Sequence, residues 1–276
     1  MSHPVAIVTG AASGIGLALT RSLITKGWRV IMADLDEQQG KKLAGQLGEK
    51  VLFCVTDVSS YEQQATLFKT AFDWGENRLD FFAANAGIAD TQFLYDTKEQ
   101  FDESGVLRPL DLRAINVDLT AVIQGIWLFK HYARRNKIPG GKVVITSSAA
   151  GLYPMETNPL YTTAKHGLVG LARALGPTFA KENIQVNAIC PAFVPTALCP
   201  KDMLDRFPKE HITPMSTVIE AYNTFIGDST LYGQTVELSL DQLYFRTKSD
   251  YPNESQRWLG QDAAAFWEEA YKDAVQ

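Results

Sequence analysis

Strands and helices alternate from residue 5 to residue 240 of this chain, which predicts an α/β fold: one doubly wound parallel sheet of about seven strands with helices on both faces. Two further observations support it. The first strand runs straight into a glycine-rich turn and a helix, and polar or acidic residues recur where successive strands end. Ligands of such sheets bind beyond the C-terminal strand ends.

With 276 residues, 46% of them hydrophobic, the chain can bury a large core as a single domain over 1–276, with 241–276 as a C-terminal tail. A net charge of −5 without any basic run argues against nucleic acid as a partner. The N-terminus enters a strand directly, which leaves no room for a leader peptide, and the apolar run at Leu119 to Phe129 is too short to span a bilayer. A cytoplasmic protein is expected. Cys54, Cys190 and Cys199 lack metal-ligand spacing, the four histidines are scattered, and no metal site is expected.

Val5 to Thr9 reads as the first strand, ending in Gly10-Ala-Ala-Ser13-Gly14-Ile15-Gly16, and a helix follows. Glycines there let backbone N–H groups approach a pyrophosphate at the positive end of the helix. Trp28 to Ala33 is a second strand closed by Asp34, where a carboxylate can accept hydrogen bonds from a ribose diol. The segment continues Leu35-Asp36, with no arginine or lysine to neutralise a 2′-phosphate, so NAD is expected over NADP. The glycine spacing is G-x-x-x-G-x-G.

The pattern repeats with helix 36–47, strand 51–55 closing on Asp57-Val58, helix 61–74, and strand 79–84 closing on Asn85-Ala86-Gly87. Residues 88–110 are charged and irregular, read as a surface insertion. A long helix at 110–136 is apolar on more than one face and needs partners on both. Strand 142–146 leads to Ser147 and Ser148, then to a helix opened by Asn158 as cap and Pro159 at its first position. Tyr161 and Lys165 lie one turn apart on that helix, on one face. A free phenol titrates near ~10, and a nearby cation favours its ionised form. Such a tyrosine can act as a general base on an alcohol or a general acid on a ketone. Gly176-Pro177 is expected to kink or end the helix. Strand 184–190, a lid at 197–212, helix 214–227 and a seventh strand at 234–240 complete the pattern. Leu152, Tyr153, Phe193, Pro195 and Leu198 follow the ends of strands 142–146 and 184–190 and predict an apolar pocket for a hydrophobic small molecule.

As a set, Thr9-Gly-Ala-Ala-Ser-Gly-Ile-Gly16, Asn85-Ala-Gly87, Asn116, Ser148 and Tyr161-x-x-x-Lys165 resemble the short-chain dehydrogenase/reductase family, over roughly residues 4 to 200. Pro159 to Gly170 and Val186 to Ala197 are most similar to its NAD-dependent 15-hydroxyprostaglandin dehydrogenase-like members. The resemblance implies a Rossmann-type fold and a site assigned residue by residue. Tyr161 would be the acid/base, and Lys165 would tune it and hold the nicotinamide ribose. Ser148 would hydrogen-bond the substrate oxygen, and Asn116 would hold a water leading from Lys165 to solvent. Val194 and Thr196 would meet the nicotinamide carboxamide. Three residues depart from the family pattern: Ala84 stands for an asparagine, Ala192 for a glycine, and Asn158 for a glutamine that helps orient the substrate. Asn158 thus remains a substrate contact or a cap. The function implied is NAD-dependent interconversion of a hydrophobic secondary alcohol and its ketone, with a specialised-metabolite enzyme and a non-catalytic NAD sensor as alternatives. The presence of Asn116, Ser148, Tyr161 and Lys165 together favours catalysis over sensing. Separately, the apolar helices 110–136 and 159–180 predict a homodimer that pairs them.

Overall fold

A computed structural model describes residues 3–96 and 100–272; Met1, Ser2, residues 97–99 of the expected insertion and residues 273–276 of the expected tail lie outside them. The chain divides into two compact units, Met1–Arg246 and Thr247–Gln276, each described by itself.

In the larger unit β1 (Val5–Thr9), α1 (Gly14–Thr25), β2 (Arg29–Asp34), α2 (Glu37–Leu47), β3 (Val51–Val55), α3 (Tyr61–Trp74) and β4 (Phe81–Ala84) alternate. The short α4 (Arg113–Ile115) passes through a π-helical turn, Asn116–Thr120, into α5 (Ala121–Ala133). Then come β5 (Gly141–Thr146), α6 (Pro159–Ala180), β6 (Ile184–Pro191), α7 (Lys201–Arg206), α8 (Met215–Gly227), β7 (Thr235–Ser239) and β8 (Gln242–Phe245). The sheet order is β3-β2-β1-β4-β5-β6-β7-β8. All pairs are parallel except β7 with β8. Strand order reverses between β1 and β4, which opens a crevice at their C-terminal ends.

The apolar runs explain the layering. Every residue of β1 and β4 is buried, as expected of parallel strands covered on both faces. Alternation then sends Ile7 and Phe82 into one core with Leu67, Phe68 and Phe129, and Val8 and Phe81 into the other with Leu19 and Tyr222.

Three expectations change. The sheet has eight strands, because Leu240, at φ 54°, turns the chain back and lets residues 242–245 pair with β7. β8 is short, largely exposed and at the edge, so it carries no clear apolar alternation. The expected tail from 241 therefore begins inside the sheet. Gly176-Pro177 does not end α6, which runs to Ala180; a Cβ on Gly176 would lie 2.2 Å from the backbone N of Gly233, so this glycine admits the close approach of the segment that leads into β7. Among the described residues of 88–110 the only pairing is a bridge between Phe101 and Leu107.

The smaller unit holds α9 (Glu254–Arg257), a π-helical turn at Trp258–Asp262 and α10 (Ala264–Lys272). The Asn253 side chain caps its first turn by accepting from the Gln256 N–H at 2.9 Å. Its aromatics Trp258, Phe266, Trp267 and Tyr271 are exposed, and Trp267 packs edge-on to Phe266 and stacks with Tyr271. No helix of the described residues is long and apolar enough to cross a membrane.

Candidate active site

Gly10 sits at φ +64° and Gly14 at φ +49°, a region that L side chains rarely adopt. Gly16 is needed for space: a Cβ there would stand 2.2 Å from the Gly10 carbonyl oxygen. Ser13 precedes α1 in extended conformation, its side chain makes no capping bond, and the first turn carries no acid. The N–H groups opening α1 thus keep their positive end for an anion, and the cradle fits a pyrophosphate. Beside it Asp34 accepts from Ala12 N at 2.9 Å and Asp36 N at 3.1 Å, so the turn itself fixes its carboxylate. Leu35 is exposed. Asp57 closes a turn by accepting from Ser59 N and Oγ, while Ser60 caps α3, and Val58 accepts from the Gln64 side chain. Thr196 packs over Gly14, 3.1 Å from where a Cβ would stand, and Val194 is buried.

Asn85 ties three strand ends together. Its Nδ2 donates to Thr9 O at 3.0 Å and its Oδ1 accepts from Thr146 Oγ1 at 3.1 Å. Thr9 Oγ1 in turn accepts from the N–H groups of Asn85 and Ala86. Thr9 was absent from the expected site; its place at the last position of β1 was the available signal.

Lys165 and Tyr161 share a face of α6: the ammonium lies 5.1 Å from the ring centroid. Lys165 is buried, donates to Thr146 O at 3.2 Å, and forms an ion pair with Asp118 Oδ2 at 3.0 Å. Burial would pull this ammonium down, but Asp118 and then Tyr161 more than offset it, so Lys165 is held above the ordinary lysine range. Ser147 Oγ donates to the Lys165 carbonyl at 2.8 Å and so serves α6, while Ser148 Oγ accepts from Ala150 N at 3.1 Å and is half-buried. Cys190 is a packed thiol, pushed up to about 12 by burial.

Asn116 does not reach this group. It opens the π-helical turn exposed, while Asp118 is fully buried. Residues two apart on a helix do not face the same way, so the element that turns Asp118 inward turns Asn116 out. The acid at 118, not the amide at 116, is the residue that meets Lys165.

The opening of α6 also differs. Asn158 makes no capping bond; its Nδ2 lies 3.1 Å from Thr157 Oγ1 and 3.4 Å from Met155 Sδ. Buried Asp90 takes the role instead, accepting from Leu160 N at 3.0 Å and Tyr161 N at 2.7 Å. Of the expected apolar residues, Phe193 stacks on Phe207 with centroids 3.5 Å apart, Leu152 is half-buried, and Tyr153 donates to Glu237 at 3.0 Å.

A family model described as short chain dehydrogenase matches residues 4–205. The chain is 34% identical to short-chain dehydrogenase/reductase prx6 of Penicillium rubens, over 97% of this chain and 93% of that one. It is 33% identical to human 15-hydroxyprostaglandin dehydrogenase [NAD(+)], over 70% of this chain and 69% of that one. The fold matches a 3-ketoacyl-(acyl-carrier-protein) reductase from Brucella melitensis complexed with NADH, with a TM-score of 0.73 at 22% identity, over 86% of this chain and 96% of the other.

Proposed function

Since the chain belongs to the short-chain dehydrogenase/reductase family, we propose that it is an NAD-dependent oxidoreductase interconverting a hydrophobic secondary alcohol and its ketone. One observation carries the reading: a buried, charged Lys165 lies 5.1 Å from the Tyr161 ring, beside strand ends that also carry the glycine cradle and Asp34. The glycine turn and the open end of α1 suit the pyrophosphate, and Asp34 suits the adenosine ribose. Bound NAD supplies the hydride acceptor. Tyr161 takes the hydroxyl proton as the carbinol C–H leaves with its electron pair, and returns a proton in the reverse direction. Ser148 holds the substrate oxygen, and an N–H of Lys165 not directed at Thr146 holds the nicotinamide ribose. Leu152, Phe193 and Leu198 supply apolar walls, and Asn158, relieved of capping, is available as a polar contact.

Two copies are proposed to pair through α5 and α6. Ile123 and Trp127 on α5 are 45% and 63% exposed, and Gly170 on α6 is exposed with open space beyond it. A two-fold axis would bury both faces at once. Light scattering at micromolar concentration should give a dimer, and a monomer alone would remove the idea. Three free thiols suit a reducing compartment such as the cytoplasm.

The test of the function is NADH formation from NAD with a panel of hydroxy fatty acids, prostanoids, steroids and polyketide alcohols. Turnover of apolar members supports the reading; a strong preference for sugars contradicts it.

A further inference from the structure

We propose that Asp118 is a positioning residue, the buried counter-ion that keeps Lys165 protonated and aimed beside Tyr161, in the place that the resemblance gives to the neutral amide of Asn116. The inference rests on the reading of Lys165 as the partner of Tyr161 and of the cofactor ribose.

Three features of the structure converge. The side chains of Lys165 and Asp118 are 4% and 0% exposed, with Nζ and Oδ2 3.0 Å apart. Asp118 Oδ1 accepts from Ile88 N at 2.8 Å, while Oδ2 has no aligned hydrogen-bond donor among the described residues, so the lysine charge is what compensates it. Gly87 leaves room for the pair: a Cβ there would stand 3.1 Å from Asp118 Oδ2 and 3.3 Å from Lys165 Nζ. The π-helical turn Asn116–Thr120 is the backbone device that presents this carboxylate.

The groups facing Lys165 come from every neighbouring element. They are Asp118 on the π-helical turn, Tyr161 on α6, the Cys190 thiol on β6 and the Thr146 carbonyl on β5. Of these only Asp118 is a carboxylate. An ammonium has three donors, and one is directed at the Thr146 carbonyl while Asp118 compensates the charge without an aligned bond, so donors remain for a ligand. With an amide at 118 the largest opposing charge is gone and burial is met by the smaller contribution of Tyr161, and burial alone can lower a lysine by up to ~3–5 units.

The sign of the pH dependence follows. Lys165 is held above its ordinary value, so its contribution to stability is complete below the unfolded value of ~10.4 and is lost as pH rises through the folded one. In Asp118→Asn the folded value falls below the unfolded one. The variant is then penalised most near neutral pH and recovers as pH rises.

The experiment measures thermal midpoints of the full chain and of Asp118→Asn between neutral and alkaline pH, with NADH affinity by fluorescence over the same range. The gap in midpoint should shrink with rising pH. NADH binding by the variant should weaken at a pH at least about one unit lower than in the unmodified protein. Adding Lys165→Met should abolish both pH effects, which identifies the titrating group. If Asp118→Asn alone does not fold, recovery of folding in the double variant supports the pair, since removing both partners leaves no unpaired buried charge. A pH-independent gap with an unshifted NADH profile, or a double variant that also fails to fold, overturns the proposal. The alcohol panel tests the oxidoreductase reading separately, because neither readout here uses a substrate.

Discussion

Replacing Asp90 with alanine should loosen the catalytic helix at its first turn. The carboxylate accepts from Leu160 N at 3.0 Å and Tyr161 N at 2.7 Å, and Asp90 is 8% exposed. Among the described residues no other side chain caps this turn, since Asn158 makes no capping bond. Loss of a helix cap costs ~0.5–2 kcal/mol, and a hydrogen bond to a charged group contributes ~1.5–3 kcal/mol. Two such bonds in a buried place give ~2–4 kcal/mol after allowing for partial access of water. At ~2–4 °C per kcal/mol for a domain approaching this size, the midpoint should fall by roughly 5–15 °C. Urea unfolding measures the same loss directly. Asp90→Asn keeps one acceptor and should lose about half as much. Turnover should fall with Asp90→Ala while NADH affinity holds, because the backbone N of Tyr161 loses its anchor. A change within ~0.5 kcal/mol, the usual range for surface substitutions, would refute the capping role.

Two more outcomes follow. NAD should be preferred over NADP by roughly a hundredfold, since juxtaposed like charges cost several kcal/mol and ~1.4 kcal/mol is tenfold; Asp34→Ser with Leu35→Arg should erode that preference, and equal kcat/KM with both cofactors in the unmodified protein would refute the role of Asp34. Glu182 is lowered to about 2 by its hydrogen bonds with Arg134 and then Lys130. Its contribution to stability is complete above the unfolded carboxylate range and lost as pH falls from ~4.3 through that value. Glu182→Gln should flatten the midpoint–pH curve in this acid window, and an unchanged slope would refute the pairing.

What was legible in the sequence is what local pattern determines. The apolar runs of β1 and β4 read as strands because both faces are covered, and the glycine turn reads as a cradle because Gly10 and Gly16 answer to backbone geometry. The common face of Tyr161 and Lys165 follows from helical spacing. Tertiary choices were not legible. Asp90 caps a helix 70 residues away in the chain, so the nearer Asn158 was the natural local choice. Which of Asn116 and Asp118 faces Lys165 depends on the rotation of one helical element, and periodicity around a π-helical turn does not fix it. β8 was hidden for a different reason: an edge strand of four largely exposed residues leaves almost no apolar signature.

The most direct test of the central claim compares the unmodified protein with Tyr161→Phe, using the best apolar secondary alcohol found in the NADH-formation panel. The variant should keep its NADH affinity and lose turnover by ~10²- to 10⁴-fold, the usual contribution of a general acid–base group. Near-normal turnover by Tyr161→Phe would contradict the account.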